Sequence, residues 1–179
     1  VINSNGYFTI KLDKNLNSER HILMSSDSEF SAETVQIKAK GLEYMNNITK
    51  AWIPIKEVIS KEGDNSADDY IAYTFFIKND GKENVSYKTK IVIESVIKNV
   101  DEAVRVAVYF NGKESVYAKK AKDGSPEPQT IPFISNHLIM QQDRKNIKPG
   151  EIDRYSIVVW LEGNDPECID DIIGGEMKM

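Results

Sequence analysis

The sequence predicts an all-β fold, an antiparallel sandwich of two sheets. Apolar and polar residues alternate in run after run, and short turn-forming segments separate these runs. Because successive side chains of a strand point to opposite faces of its sheet, such alternation is typical of strands that bury one face. Many short strands joined by turns, with little helix, favour a sandwich of the immunoglobulin-like or jelly-roll kind. We expect a single domain over residues 1–179.

Four runs carry the clearest alternation: residues 70–78, 85–98, 104–110 and 154–161. In the last of them Tyr155, Ile157 and Val159 fall on one face, whereas Arg154 and Ser156 fall on the other. β-branched and aromatic residues, which pack well on a pleated surface, dominate these runs. Weaker strand signals lie at residues 7–12, 34–40, 52–55 and 131–140.

Turn-forming residues separate the predicted strands. Asn111-Gly112 predicts a tight hairpin after the third strong run, since both central residues of such a turn take positive φ. Pro149-Gly150 predicts a type II turn before the fourth. Residues 79–82 form the loop between the first two strong runs. The longer polar segments at residues 60–69 and 119–129 are interpreted as loops within one domain.

One short helix is predicted near residues 165–173. Asn164 is a candidate N-cap, Pro166 lies in the first turn, and Gly174 follows the last one. The acidic residues in this segment fit the positive end of a helix dipole, which is favoured over the alternative that they gather a cation.

Composition and charge exclude several classes of protein. The chain is 40% apolar and 28% charged, which is typical of a globular domain, and its net charge of −5 argues against a nucleic-acid partner. Its single cysteine, Cys168, excludes an intrachain disulfide. No apolar run is long enough to span a membrane. Because the chain begins with Val1 and not Met, we expect that a signal peptide or anchor was removed or that the ends were trimmed.

Few residues suggest catalysis or a cofactor. His21 and His137 lie outside any zinc motif, and pairing of His137 with Cys168 as a nucleophile is the less favoured reading of that cysteine. No pair of acids stands out for hydrolysis, so we expect no enzyme activity. We also expect no cofactor, with calcium as the one alternative. Asp64, Asp68 and Asp69 are its candidate ligands, in a segment that is otherwise a solvated loop. Trp52 and Trp160 are interpreted as core or sheet-face aromatics. The alternative is that Trp160, which lies on the less apolar face of its run, is partly exposed and serves as a ligand platform.

The C-terminal segment carries a resemblance to a known group. Residues 146–151, with the sequence NIKPGE, lead into YSIVVWLEGNDPEC at residues 155–168 and DDIIGG at residues 170–175. Together with YTFFIKNDG at residues 73–81, these segments resemble the TasA/camelysin group of cell-surface and biofilm-matrix proteins of Gram-positive bacteria. The resemblance implies export, a sandwich fold and a structural role on the cell surface. In the matrix members of that group, an N-terminal strand of one subunit completes a sheet of the next.

The resemblance therefore implies a donor strand in this chain, for which Tyr7, Phe8, Ile10 and Leu12 are the candidate residues. Some camelysin relatives are metal-dependent proteases, but this sequence has no zinc motif to inherit that activity. The leading hypothesis is a non-enzymatic extracellular or cell-envelope domain with a structural or adhesive role that forms homo-oligomers. The alternative is a carbohydrate- or small-ligand-binding module with a loop-bound cation.

Overall fold

The computed structural model describes residues 8–39, 46–93, 95–96, 102–163 and 177–178. Strands account for 49% of it and helical segments for 11%, and the strands form several antiparallel sheets. The predicted all-β sandwich is therefore confirmed. The helix predicted near residues 165–173 and Cys168 lie outside the described residues.

The strands, in chain order, are β1 (Phe8–Lys11), β2 (Ile22–Ser25), β3 (Gln36–Ala39), β4 (Gly63–Asp64), β5 (Ile71–Asn79), β6 (Val85–Val92), β7 (Ser95–Val96), β8 (Val104–Phe110), β9 (Lys113–Ala118), β10 (Ile131–Pro132), β11 (Leu138–Ile147), β12 (Ile152–Leu161) and β13 (Met177–Lys178). The helical segments are α1 (Lys14–Ser18), a 3₁₀ turn (Lys50–Trp52) and α2 (Ile55–Ser60). The four strong sequence signals correspond to β5, β6, β8 and β12. The second signal is too long, because β6 ends at Val92 and Ser95–Val96 is a separate strand paired with β13.

The larger sheet has the strand order β10-β9-β8-β12-β5-β2, and β4 also pairs with β5. Its strands run antiparallel except for β10 beside β9. In the centre of the sheet, Ile157 of β12 lies opposite Tyr73 on one neighbour and Val108 on the other. The hairpin predicted at Asn111-Gly112 joins β8 to β9, with φ angles of 48° and 86°, so that prediction is confirmed.

The second layer consists of two separate strand pairs, β6 with β11 and β1 with β3. Both pairs pack on the same face of the larger sheet. Leu12 and Ile37 from one pair, and Val85 and Ile139 from the other, belong to one hydrophobic cluster with Ile157. The alternation of apolar residues in these strands directs them into that cluster.

The opposite face of the larger sheet is covered by the 3₁₀ turn and α2. Ile53 and Val58 from this segment pack in a second cluster with Val158 and Trp160. The strand predicted at residues 52–55 is therefore wrong, because Pro54 is the N-cap of α2. Proline lacks the N–H that a strand ladder needs, whereas the start of a helix tolerates its absence.

Two connections cross between the layers, and one buried side chain holds them together. They run from β5 to β6 and from β11 to β12. The amide of Asn79 donates to the carbonyls of Glu83 and Ile147, at 2.8 Å in each case. The backbone N–H of Gly150 donates to the Asn79 carbonyl at 2.7 Å, and Gly150 has the positive φ predicted for it, 81°. The loop predicted at residues 79–82 therefore changes layer and is not a hairpin.

Candidate functional site

A deep groove of about 1010 Å³ lies between the two layers. Its floor consists of core-facing side chains of β2, β5, β8 and β12: Ile22, Met24, Phe75, Ile77, Val108 and Ile157. Each of these side chains is largely shielded from solvent. The groove therefore reaches the apolar core of the sandwich and is not a shallow surface feature.

The walls of the groove are β1 with α1 on one side and β6 on the other. Ile10, Leu12 and Leu16 line the first wall, and Tyr87 and Ile91 line the second. As strands within the described residues, β1 pairs only with β3, and β6 pairs only with β11. No ladder joins β1 to β6 in this part of the chain, so each of them has one edge that pairs with no described strand, and residues of both line the groove. Such an edge carries N–H and C=O groups that can pair with a further strand.

Lysines line the mouth of the groove on β1, β6 and β11: Lys11, Lys88, Lys90 and Lys145. These side chains are exposed, and none lies within ion-pair distance of a carboxylate among the described residues. Two acids also line the groove. Asp13 accepts the Asn15 backbone N–H at 2.8 Å, and Asp143 lies opposite Lys88 in the strand register. The mouth therefore carries an excess of positive charge.

A buried polar network borders the groove at Tyr87 and Tyr155. The hydroxyl of Tyr87 donates to Asp153 at 2.5 Å and lies 2.8 Å from the hydroxyl of Tyr155. Arg144 Nε donates to the same carboxylate at 2.9 Å, and the amide of Asn111 donates to it at 3.2 Å. The network joins β6 and β11 to β12 across the two layers, because its members lie on all three strands.

The chemistry of this network is structural. Burial raises the pKa of Tyr155 to about 12 and raises the pKa of Tyr87 further. The Asp153 carboxylate raises the pKa of Arg144 above its ordinary value. Both phenols are therefore protonated at neutral pH, and the hydroxyl of Tyr87 is committed to Asp153. The arrangement stabilises the contact between the layers.

The candidate donor strand lies at the groove. Phe8 and Ile10 belong to β1, whose register pairs them with Ala39 and Ile37 of β3. Ile10 packs against the core and Leu12 is buried within it. Tyr7 lies outside the described residues. Residues 8–12 therefore form a wall of the groove and already have one partner strand in their own chain.

The candidate calcium ligands are not gathered into a site. Within the described residues, no group of three or more His, Cys, Asp or Glu side chains could hold a metal ion. Asp64 Oδ1 accepts the Ser66 backbone N–H at 2.9 Å, an interaction that shapes the turn after β4. Asp68 is exposed and Asp69 is half-buried in the same loop.

Trp160 is a core aromatic, as the favoured interpretation of the sequence predicts, and not the partly exposed ligand platform of the alternative, because its side chain is only 1% exposed. The indole lies between the larger sheet and the helical segment, and its N–H donates to Glu162 at 3.1 Å. Its ring is therefore not presented to a ligand. Trp52 is the exposed tryptophan, at 72%, because the 3₁₀ turn directs it away from the sheet.

The groove itself could not be identified from the sequence. Alternation in residues 7–12 and 85–98 predicted the two wall strands, but no pattern in either strand specifies which neighbour it pairs with. The one available signal was the lysines on the outward face of β6, Lys88 and Lys90, which alternate with the groove-facing residues Tyr87 and Ile91.

Among the described helical segments, none is long and apolar enough to cross a membrane. Comparison of the chain with models of protein families, with curated proteins and with solved structures finds no match. These comparisons neither support nor contradict the resemblance to the TasA/camelysin group, which stays a prediction from the sequence segments given above.

Proposed function

We propose that the chain is a non-enzymatic structural domain of the cell surface or extracellular matrix that self-associates by strand addition. The observation that carries the proposal is the apolar groove between β1 and β6. The occupant we propose is the β1 segment of a second copy, residues 8–12. Cell-surface location is part of the proposal and follows from the sequence resemblance.

The strand edges of the groove support this proposal. β6 is eight residues long and pairs along one edge only within the described residues. A strand that enters the groove can gain backbone hydrogen bonds to an edge that no described strand of the chain uses. Edge pairing of this kind is a common mode of protein association, and main-chain bonds supply much of its affinity.

The side chains of β1 fit the chemistry of the groove. Ile10 and Leu12 alternate with Thr9 and Lys11, so an added β1 directs apolar groups to the floor and polar groups to the mouth. Among the described strands, β1 pairs with β3 alone, through four residue pairs. Release of this segment breaks that short ladder and withdraws Ile10 and Leu12 from the core cluster, and the groove of the next copy offers the same apolar groups a new site of burial.

The geometry of such an assembly is open-ended. The donor segment and the β6 edge are different surfaces, so the contact is head-to-tail. A head-to-tail contact that does not close into a ring generates a filament. The carbohydrate-binding alternative built on Trp160 has less support, because that ring is buried.

Light scattering and electron microscopy on the purified chain, with and without residues 1–12, test the proposal. We expect concentration-dependent oligomers or fibres from the full chain and none from the truncated one. Because truncation removes a wall of the groove, Ile91→Asp provides a second test that leaves β1 intact. It introduces a carboxylate into the path of the incoming strand, and we expect it to prevent assembly.

The matched control is Ile134→Asp. Ile134 is 60% exposed and follows β10, at the far edge of the larger sheet. We expect this variant to assemble as the unmodified chain does. Circular dichroism and urea unfolding verify that each variant is folded. A folded full chain that stays monomeric at all concentrations, or assembly lost equally in both aspartate variants, contradicts the proposal.

A further inference from the structure

We propose that the groove also binds single-chain amphiphiles with an anionic headgroup, of the fatty-acid class, and that a bound amphiphile blocks the incoming strand. The binding of the amphiphile stands by itself. Only its effect on assembly rests on the proposed function.

The shape and lining of the groove support an acyl chain as the ligand. Binding pockets for small molecules are typically about 300–1,000 Å³ and mostly apolar. The groove, at about 1010 Å³, lies at the upper end of that range. Met24 and Met140 both line it, and methionine adapts its conformation to ligands of variable shape. An alkyl chain in the groove buries its own apolar surface and that of the partly exposed Ile10, Leu16 and Ile91, which favours binding.

Charge at the mouth selects the headgroup. The walls carry lysines on both sides, with Lys11 on β1 and Lys88 and Lys90 on β6. None of them lies within ion-pair distance of a carboxylate among the described residues. The whole chain has a net charge of −5, so the positive charge at the mouth of the groove is opposite in sign to the net charge of the chain. Complementary charge favours an anionic headgroup over a neutral or cationic one.

The polar network fixes the orientation of the ligand. Tyr87 and Tyr155 line the groove, but the hydroxyl of Tyr87 donates to Asp153, and Tyr155 is hydrogen-bonded to Tyr87. The cation at this end, Arg144, is already paired with Asp153 and Glu151, so it offers an anionic headgroup no free partner. The headgroup therefore lies at the lysines of the mouth, and the alkyl chain lies along the floor.

A bound amphiphile competes with assembly because it occupies the part of the groove that the incoming β1 strand would fill. The alkyl chain and an added β1 strand both cover the floor residues Phe75 and Ile77. The alkyl chain of an amphiphile forms no hydrogen bonds with the backbone N–H and C=O groups of the β6 edge. Its binding therefore excludes the incoming strand without replacing the backbone hydrogen bonds that this strand would form.

Isothermal titration calorimetry with three twelve-carbon amphiphiles tests the proposal: dodecanoate, dodecyl maltoside and dodecyltrimethylammonium. The chain is used at a concentration where light scattering reports monomer, and each amphiphile is kept below its micelle concentration. We expect dodecanoate to bind most tightly and the cationic amphiphile most weakly. Charge reversal in Lys88→Glu/Lys90→Glu should weaken dodecanoate binding by about tenfold. The control Lys56→Glu/Lys113→Glu changes the net charge equally on exposed lysines outside the groove lining, and should retain the affinity.

The outcomes separate the two proposals. Absence of dodecanoate binding, equal affinity for all three headgroups, or equal loss in both double variants overturns the amphiphile site, whether or not the chain assembles. Binding without assembly at any concentration overturns the proposed function and leaves the site. Binding and assembly that do not affect each other overturn the competition, whereas assembly suppressed by dodecanoate but not by dodecyltrimethylammonium supports it.

Discussion

The two long strands β12 and β6 have similar sequence patterns but different surroundings. β12 pairs with β5 along one edge and β8 along the other, and almost every side chain in it is buried. β6 pairs with β11 alone among the described strands, and its outward residues are exposed. The pattern on the second face accounts for part of this difference. Ser156, Val158 and Trp160 occupy that face of β12, whereas Lys88 and Lys90 occupy that face of β6.

The comparison separates two properties of a strand: how many of its faces are covered, and how many of its edges are paired with another strand. The residues on each face indicate how many faces are covered, because an uncompensated charge cannot be buried. The number of paired edges depends on backbone groups, which every residue except proline carries. The residue pattern of β6 therefore predicts a strand, but it does not predict which edge of that strand stays unpaired or that the strand forms a wall of the groove.

The largest effect on stability is expected from substitutions on the face of β12 and β6 that points away from the main core cluster. We expect Trp160→Ala to destabilise the protein by about 4 kcal/mol, because it leaves a large cavity between the sheet and α2. Lys88→Ala, on the exposed face of β6, should change the free energy of unfolding by less than about 0.5 kcal/mol. Urea unfolding measures both values. Similar values for the two variants would remove the distinction between the strands.

The next largest loss of stability is expected from removal of Asp153, which links β12 to β6 and β11. Asp153 is 0% exposed and accepts hydrogen bonds from Tyr87 on β6 and Arg144 on β11. We expect Asp153→Ala to cost about 3 kcal/mol, because it leaves these donors without their acceptor. Asp143→Ala, an exposed carboxylate on β11, is the control and should be nearly neutral. Urea unfolding again provides the measurement, and equal costs would contradict a structural role for the network.

A smaller effect is expected at the crossing between the layers. Asn79→Ala removes two donated hydrogen bonds that hold the β5–β6 and β11–β12 connections together. The carbonyls of Glu83 and Ile147 then lose their partners, and we expect a cost of about 2 kcal/mol in urea unfolding. Asn84→Ala, in the same loop but exposed, should have little effect. If Asn79→Ala also leaves the free energy of unfolding unchanged, the two connections do not depend on this side chain.

The smallest effect at neutral pH is that of Tyr87→Phe, at about 1.5 kcal/mol, because it removes the hydrogen bond to the charged Asp153 and the one shared with the Tyr155 hydroxyl. This variant also tests pH dependence. Burial raises the pKa of Tyr155 to about 12 from 10.0, so its contribution to stability is complete below pH 10 and is lost as the pH rises through 12. The pKa of Tyr87 is raised in the same direction. We expect the urea midpoint to fall above pH 10, and less steeply in Tyr87→Phe than in the unmodified chain or in Tyr70→Phe. An identical fall in all three would contradict the assignment.

Parts of the fold that depend on local chemistry could be predicted from the sequence. The alternation in residues 154–161 indicated which side chains of β12 enter the core, and Asn111-Gly112 located the hairpin between β8 and β9. The segment at residues 52–55 was predicted wrongly, because the tertiary structure uses its apolar residues on a helical segment against the second face. A short apolar run by itself suits either arrangement, and Pro54 is the local signal that argues against a strand here.

The sequence by itself determined the all-β class, the main strands and the acidic net charge, since these follow from side-chain periodicity and composition. Only the tertiary structure decided that Trp160 is covered, that Asp64, Asp68 and Asp69 form no metal cluster, and that β1 and β6 flank a groove. The physical reason is the same in each case. Burial, clustering and edge pairing depend on which segments meet, and those segments can lie far apart in the chain, as Tyr87 of β6 and Asp153 of β12 do at a separation of 66 positions.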